Sequence, residues 1–299
     1  MTHTRAWPLI NRRPDTLLIN HVSDTHFGYR PWSYTESDTQ LQDYAEGLLP
    51  EVDLFLHTGD IIDGKDDTVE DDYALDWLNA AGAPAGQSLW TMGNHDIRSR
   101  VVHTRATWEA KYGRSVNEYR DVKGVRFITF AVDDFSPTDF LWQPTTATWN
   151  WVDARTNEFN GPVVICNHYP PKEIGVLDQD ALITAAQLNT LVGDNPNVIG
   201  FMCGHMHFDL NEPRLASFLT LGGRPLPVLC DISSMLSLEG EAGRDQSAKI
   251  QSTSAYVEML DGIWKIHYRR HGGHMWGGPH DQRVTTMDLA AATVTRGMS

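Results

Sequence analysis

The chain has 299 residues, with 39 acidic and 24 basic side chains and a formal charge of −15; such a field repels extended nucleic acid and favours small substrates, with cations compensating any local acidic site. Hydrophobic residues make up 41% and charged residues 21%, which supports a substantial core, excludes a largely disordered chain and suits one large unit. No apolar run reaches the length of a membrane span, and the opening MTHTRAWPLINRRPDT lacks the apolar core of a secretory signal, so no membrane association and a cytoplasmic location are expected.

A polar arm over 1–15 leads into a domain expected over 16–270. Its first strand, Leu17 to Val22, stops at Ser23-Asp24-Thr25-His26. The arrangement repeats: Asp53 to His57 runs into Thr58-Gly59-Asp60, and Ser88 to Met92 into Gly93-Asn94-His95-Asp96. Helical segments at Glu36 to Leu49 and Thr68 to Ala81 separate these strands, an order that implies parallel strands with crossover helices. Val125 to Val132 reads as a strand and Thr145 to Phe159 as a helix with Trp149 and Val152 inward. Pro162 to Cys166 reads as a strand ending at Asn167-His168. A helix over Ala181 to Val192 precedes a strand over Asn197 to Cys203 that ends in Gly204-His205-Met206-His207. PVLCD, SAYVEML and GIWKIHY complete a second sheet, with Asp261-Gly262 a hairpin turn between the last two. The Gly- and His-rich stretch 271–299 is expected to be a loosely held tail carrying His271, His274 and His280 in solvent. Cys166, Cys203 and Cys230 each adjoin an apolar run and read as small buried hydrophobes, and His21 and His57 as core residues.

One Asp-x-His pair on a loop usually means a turn beside a surface residue. Five strand exits ending in metal-binding side chains mean more, because ligands in α/β sheets gather at the carboxyl ends of strands. Two divalent ions need donors on each and an anionic bridge, and Asp60 is the natural bridging carboxylate. Asp24, His26 and His207 would complete one metal; Asn94, His168 and His205 would complete the other. His205 and His207, two residues apart on an extended segment, leave on the same side, so one can serve each ion. The mixed nitrogen and oxygen donors suit Mn, Fe, Zn or Co.

Taken in order, D-x-H at 24, G-D-x-x-D at 59, G-N-H-D at 93, the lone His168 and G-H-x-H at 204 resemble the calcineurin-like metallophosphoesterase superfamily over about residues 17 to 210. The resemblance implies a two-sheet αββα sandwich with two metals at its strand ends. It also implies that His95 assists the leaving oxygen and that Asp63 orients His95, Asp96 being the weaker candidate. The chemistry agrees independently: cations neutralise phosphoryl oxygens and activate water, and the departing alkoxide needs a proton.

Gly64 and Asp96 replace the arginine and glutamate of serine/threonine protein phosphatases, which disfavours that activity. SDTH, GNHDxR around Arg98, HxPP with a following loop containing Gly175 and Asp178, and CGHMH are similar to bacterial class III cyclic nucleotide phosphodiesterases and glycerophosphodiesterases. Asn167 stands where that group has the first of paired histidines, so the pocket beside His168 is expected to differ. Arg98 and Arg100 are candidates to contact a substrate phosphate, and Phe27, Tyr29 and Trp32 to wall the site, with ordinary surface packing the competing reading. The expectation is hydrolysis of a small phosphodiester. A phosphomonoesterase, a nuclease of the same superfamily and an inactive metal-binding scaffold are the alternatives, and pairing of two copies is left open.

Overall fold

The computed structural model describes residues 13–28, 31–63, 68–97, 104–132, 134–136, 141–174, 185–208, 212–230, 253–271, 275–276 and 283–298. In chain order the elements begin β1 (Leu17–Val22), α1 (Pro31–Ala45), β2 (Leu54–His57), α2 (Thr68–Gly82), β3 (Ser88–Trp90), α3 (Arg105–Tyr112), β4 (Glu118–Val122) and β5 (Val125–Thr129). There follow β6 (Asp134–Ser136), β7 (Leu141–Gln143), α4 (Thr146–Asn157), β8 (Val163–Cys166), α5 (Ala185–Asp194) and β9 (Val198–Cys203). The last are β10 (Ala216–Leu221), β11 (Arg224–Cys230), β12 (Thr253–Leu260), β13 (Ile263–Arg270), β14 (Met275–Trp276), β15 (Arg283–Asp288) and β16 (Thr293–Met298).

Two mixed sheets result. One runs β16-β15-β13-β12-β1-β2-β3 with β14 on β13, the other β10-β11-β9-β8-β5-β4, and β6 and β7 pair separately. The strands that lead to the motif loops are parallel: β1, β2 and β3 in the first sheet, β8 and β9 in the second. Parallel strands are covered on both faces, which is why LLINHV, LFLH and VVIC are buried without alternation. On the outer face of the first sheet Phe55 packs on Trp77 of α2, and Tyr44 of α1 accepts a 2.6 Å hydrogen bond from Asn20. On the second sheet's side Phe130 packs on Trp149 of α4. Between the sheets, Trp264 of β13 fills the space that a side chain at Gly200 of β9 would need, so that glycine admits the indole and locks one sheet onto the other. The architecture is the expected two-sheet α/β sandwich with helices outside.

The helix at Thr146–Asn157 is capped by the Thr145 side chain and buries Trp149 and Val152, as expected. Asp261 and Gly262 both adopt left-handed backbone in the β12–β13 hairpin. The sequence reading omitted α3, β4, β6, β7 and β10.

The expected loose tail is corrected. β15 pairs with β13 and β16 with β15, extending the first sheet to its edge. Thr285 and Met287 turn inward in a short period-two pattern rich in β-branched residues, a signal that the preceding Gly-rich stretch obscures. His271 is fully buried rather than solvated: its Nδ1–H donates to Asp43 of α1 at 2.9 Å, and Ser254 Oγ lies 2.8 Å from its Nε2. His274 and His280 lie outside the described residues. Among those residues, no helix is long and apolar enough to cross a membrane.

Candidate metal centre

The loop after β1 runs antiparallel to nothing and bonds sideways instead: Asp24 N–H donates to Gly59 O and His26 N–H to Asp60 O, so the β1 and β2 exits travel together. Eight described non-glycine residues have positive φ, and five of them are Asp24, His26, Asp60, His205 and His207. Left-handed backbone is costly for such residues and persists where the surroundings enforce it. Here it turns each side chain back toward one rim of the sandwich.

The donors fall into two groups that share Asp60. Asp24, His26, Asp60 and His207 each offer an atom within 4.8 Å of the others, and so do Asp60, His168 and His205. In the first group His207 Nε2 lies 3.0 Å from Asp24 Oδ1 and 3.1 Å from His26 Nε2. In the second, His168 Nε2 lies 3.1 Å from both His205 Nδ1 and Asn94 Oδ1. Asp60 Oδ2 faces both groups, 3.7 Å from His26 Nε2 and 3.3 Å from His168 Nε2, while its Oδ1 accepts the His95 backbone N–H at 2.7 Å. One carboxylate oxygen is thereby held and the other points between the two clusters, as a bridging ligand requires.

Backbone groups fix these side chains. His168 Nδ1–H donates to Thr58 O at 2.9 Å, which sets the tautomer and turns Nε2 toward Asp60. His205 N–H donates to Asp24 Oδ2 at 2.9 Å. A side chain at Gly93 would collide with Asp60, and one at Gly204 with Ser23 and Asp24, so both glycines admit the carboxylates. Asp96 accepts from Ile61 N–H at 3.0 Å, Ile62 N–H at 3.1 Å and Gly93 N–H at 2.7 Å, stapling the β2 exit to the β3 exit. It is buried and organises the loops, whereas Asp63 is the carboxylate beside His95: their Oδ1 and Nδ1 lie 3.4 Å apart, and Nδ1–H donates to Asp63 O at 3.2 Å. Asp63 Oδ1 also lies 3.6 Å from His26 Nδ1.

The electrostatics are those of a cation site. Burial opposes ionisation of Asp24 and Asp60, yet the surrounding imidazoles hold both carboxyls well below the usual range. Burial depresses His26 and His168, but the carboxylates override it and raise them to about 10 and about 9. Burial, reinforced by His168, pushes His205 down to about 3. Imidazole nitrogens 3.1 Å apart beside buried carboxylates form donor groups that a divalent cation on each side would satisfy at once, so the residues fit two divalent cations.

Arg98, Arg100, Tyr29, Gly175 and Asp178 lie outside the described residues. Phe27 is fully buried against Tyr73 and Trp77. Asn167 is buried and bonded to backbone: it donates to Phe130 O and accepts from Tyr169 N–H. Two contributors escaped the sequence reading. The Thr58 carbonyl carries no side-chain signal, and Tyr169, whose ring lies 4.6 Å from that of His205, reads in sequence as one more aromatic.

A family model described as calcineurin-like phosphoesterase matches residues 17–209, more than half of the chain. The chain is 24% identical over 265 residues to a Rhodococcus erythropolis protein named as a probable cyclic nucleotide phosphodiesterase, covering 83% of this chain and 82% of that one. It is 26% identical over 191 residues to a Nostoc protein named as a 3′,5′-cyclic-nucleotide phosphodiesterase, covering 61% of this chain and 66% of that one. A solved dimetal phosphatase from Danio rerio, 13% identical, shares the fold with a TM-score of 0.61 over 85% of this chain and 96% of that one. The family match takes in strands of both sheets and all five strand-exit loops; this chain belongs to the calcineurin-like phosphoesterase family and is a phosphoester hydrolase.

Proposed function

We propose that the chain hydrolyses small phosphodiesters of the cyclic nucleotide or glycerophosphodiester type. The carrying observation is the pair of donor clusters joined at Asp60 Oδ2 with His95 beside them. The names of the relatives, cyclic nucleotide phosphodiesterases, support a diester over a monoester. Asp24, His26 and His207 would hold one ion, Asn94, His168 and His205 the other, and Asp60 both. Two divalent cations there supply Lewis acidity toward the phosphoryl oxygens and an activated water.

The remaining chemistry belongs to side chains. His95 is anchored by its backbone N–H on Asp60 and by Nδ1–H on Asp63. Nε2 is then the nitrogen that gives its proton to the departing oxygen, and the Asp63 carboxylate stabilises the imidazolium that gives it. Arg98 is assigned to the substrate phosphate from its place in GNHDxR.

The test is hydrolysis of bis(p-nitrophenyl) phosphate against p-nitrophenyl phosphate by metal-stripped chain reloaded with Mn²⁺, with Asp60→Ala as control. Faster diester cleavage, abolished by Asp60→Ala, is expected; monoester preference would make the chain a phosphatase. His95→Ala should lower diester turnover by about 10²- to 10⁴-fold with metal content retained; unchanged turnover would remove the proton-donor role.

A further inference from the structure

Two thiols lie together just behind the metal-binding rim. Cys203, the last residue of β9, and Cys230, the last of β11, face each other directly in the parallel pairing of those strands. Their Sγ atoms are 3.0 Å apart, closer than two sulfurs normally rest. Neither is in a disulfide and both are fully buried, as is Cys166 on β8. Neighbouring strands hold Cα atoms at about 4.8 Å, inside the span a disulfide bridges, and the S–S bond itself is about 2.05 Å long. Closure therefore needs roughly 1 Å of sulfur movement, which the strand pairing survives while the ends of β9 and β11 adjust.

We propose that Cys203 and Cys230 form a reversible oxidation site, closed by a peroxide to an intrachain disulfide. One thiol sulfur attacks the peroxide, giving a sulfenic acid and water. The second thiol attacks that sulfur, the S–S bond forms as the S–O bond breaks, and a second water leaves. Two thiols lose two electrons and the peroxide gains them. The peroxide is proposed to enter from the catalytic rim, where His205, Met206 and His207, just beyond Cys203 and Gly204, are partly exposed.

Closure reaches the site through the same loop. Gly204 N–H donates to His168 O at 3.0 Å and His205 N–H to Asp24 Oδ2 at 2.9 Å, so a shift at Cys203 moves groups that set two donor side chains. A catalytic constellation tolerates about 0.5 Å of displacement. The disulfide accordingly lowers phosphoesterase turnover, an effect that rests on the metal-site reading above.

The test treats the full, metal-loaded chain with hydrogen peroxide, alkylates it under denaturing conditions and maps peptides without reduction. A cross-linked Cys203–Cys230 peptide is expected, with Cys166 still alkylated, the link reversed by dithiothreitol and unaffected by Cys166→Ser. Absence of that peptide, or oxidation of all three cysteines alike, overturns the site. Bis(p-nitrophenyl) phosphate turnover is then read on the same samples. A several-fold loss recovered on reduction and absent in Cys230→Ser is expected; unchanged turnover in fully cross-linked chain overturns the coupling. Peptide mapping needs no activity, so an inactive reduced chain would count against the proposed function and leave the oxidation site decided by mass.

Discussion

The candidate ligand side chains are aimed by backbone that most residues avoid. Because five of them sit at positive φ, the rim holds its shape through its neighbours, and the glycines are the most exacting of these. Gly93→Ala drives a methyl group into Asp60; the expected result is a folded chain with weakened metal binding and turnover down at least about 10²-fold, read by metal analysis and diester assay. Asp96→Asn keeps the shape but turns an NH₂ toward backbone N–H groups that now donate to carboxylate. It should cost about 1–3 kcal/mol in urea unfolding, and a wild-type midpoint would show that these three bonds do not hold the two loops together. The gathering of Asp24, His26, Asp60, Asn94, His95, His168, His205 and His207 was legible in the sequence because each ends an apolar strand. The left-handed conformations were not, since Asp and His adopt them more often than most residues but nothing local says at which position, and neither was the use of Thr58 through its carbonyl.

Among the elements, the C-terminal strands departed most from expectation. Asp43 of α1 accepts from Arg269 Nε at 2.9 Å and from His271 at 2.9 Å, and all three are buried, so the end of β13 is latched onto the first helix. The Ser254–His271–Asp43 connectivity is that of a hydrolytic triad, but complete burial and the Arg269 ion pair make it a strut. Asp43→Asn, which leaves Arg269 buried beside a neutral amide, should destabilise by about 3–5 kcal/mol; a loss under about 1 kcal/mol would show that the latch bears little of the packing. The core strands were readable because burial on both faces writes continuous apolar runs. β10 and β4 were harder: each is mostly only partly buried, and its identity depends on a partner that sequence alone does not supply. The same holds for β15, which pairs with β13, and β16, which pairs with β15: these pairings are set by tertiary structure rather than by local pattern.

For the molecule as a whole, stability is tied to pH through histidines the chemistry does not use. Burial pushes His21 and His57 down to about 3 from an ordinary value of 6.5, and each bonds in its neutral form, His21 to Thr58 and His57 to Thr25. Both bind protons more readily once unfolded, so their contribution is complete above pH 6.5 and is lost as pH falls toward 3. Urea midpoints should drop between about pH 7 and pH 5 by the equivalent of roughly 2 kcal/mol per histidine, and less in His21→Gln. A flat profile would mean that these rings are already charged in the fold.

The rim also joins the two sheets, which β-sandwiches otherwise hold together by apolar contact. Asp24, at the end of β1, accepts the His205 N–H from beyond β9, and His168, beyond β8, donates to Thr58 O at the end of β2. These stitches use backbone groups and need no ion. Amide hydrogen exchange at His205 should therefore stay slow when the chain is stripped by a chelator, while the imidazoles around it become mobile. The consequence is that a metal centre held by this frame would be emptied and refilled without refolding, because the polypeptide keeps the frame in place.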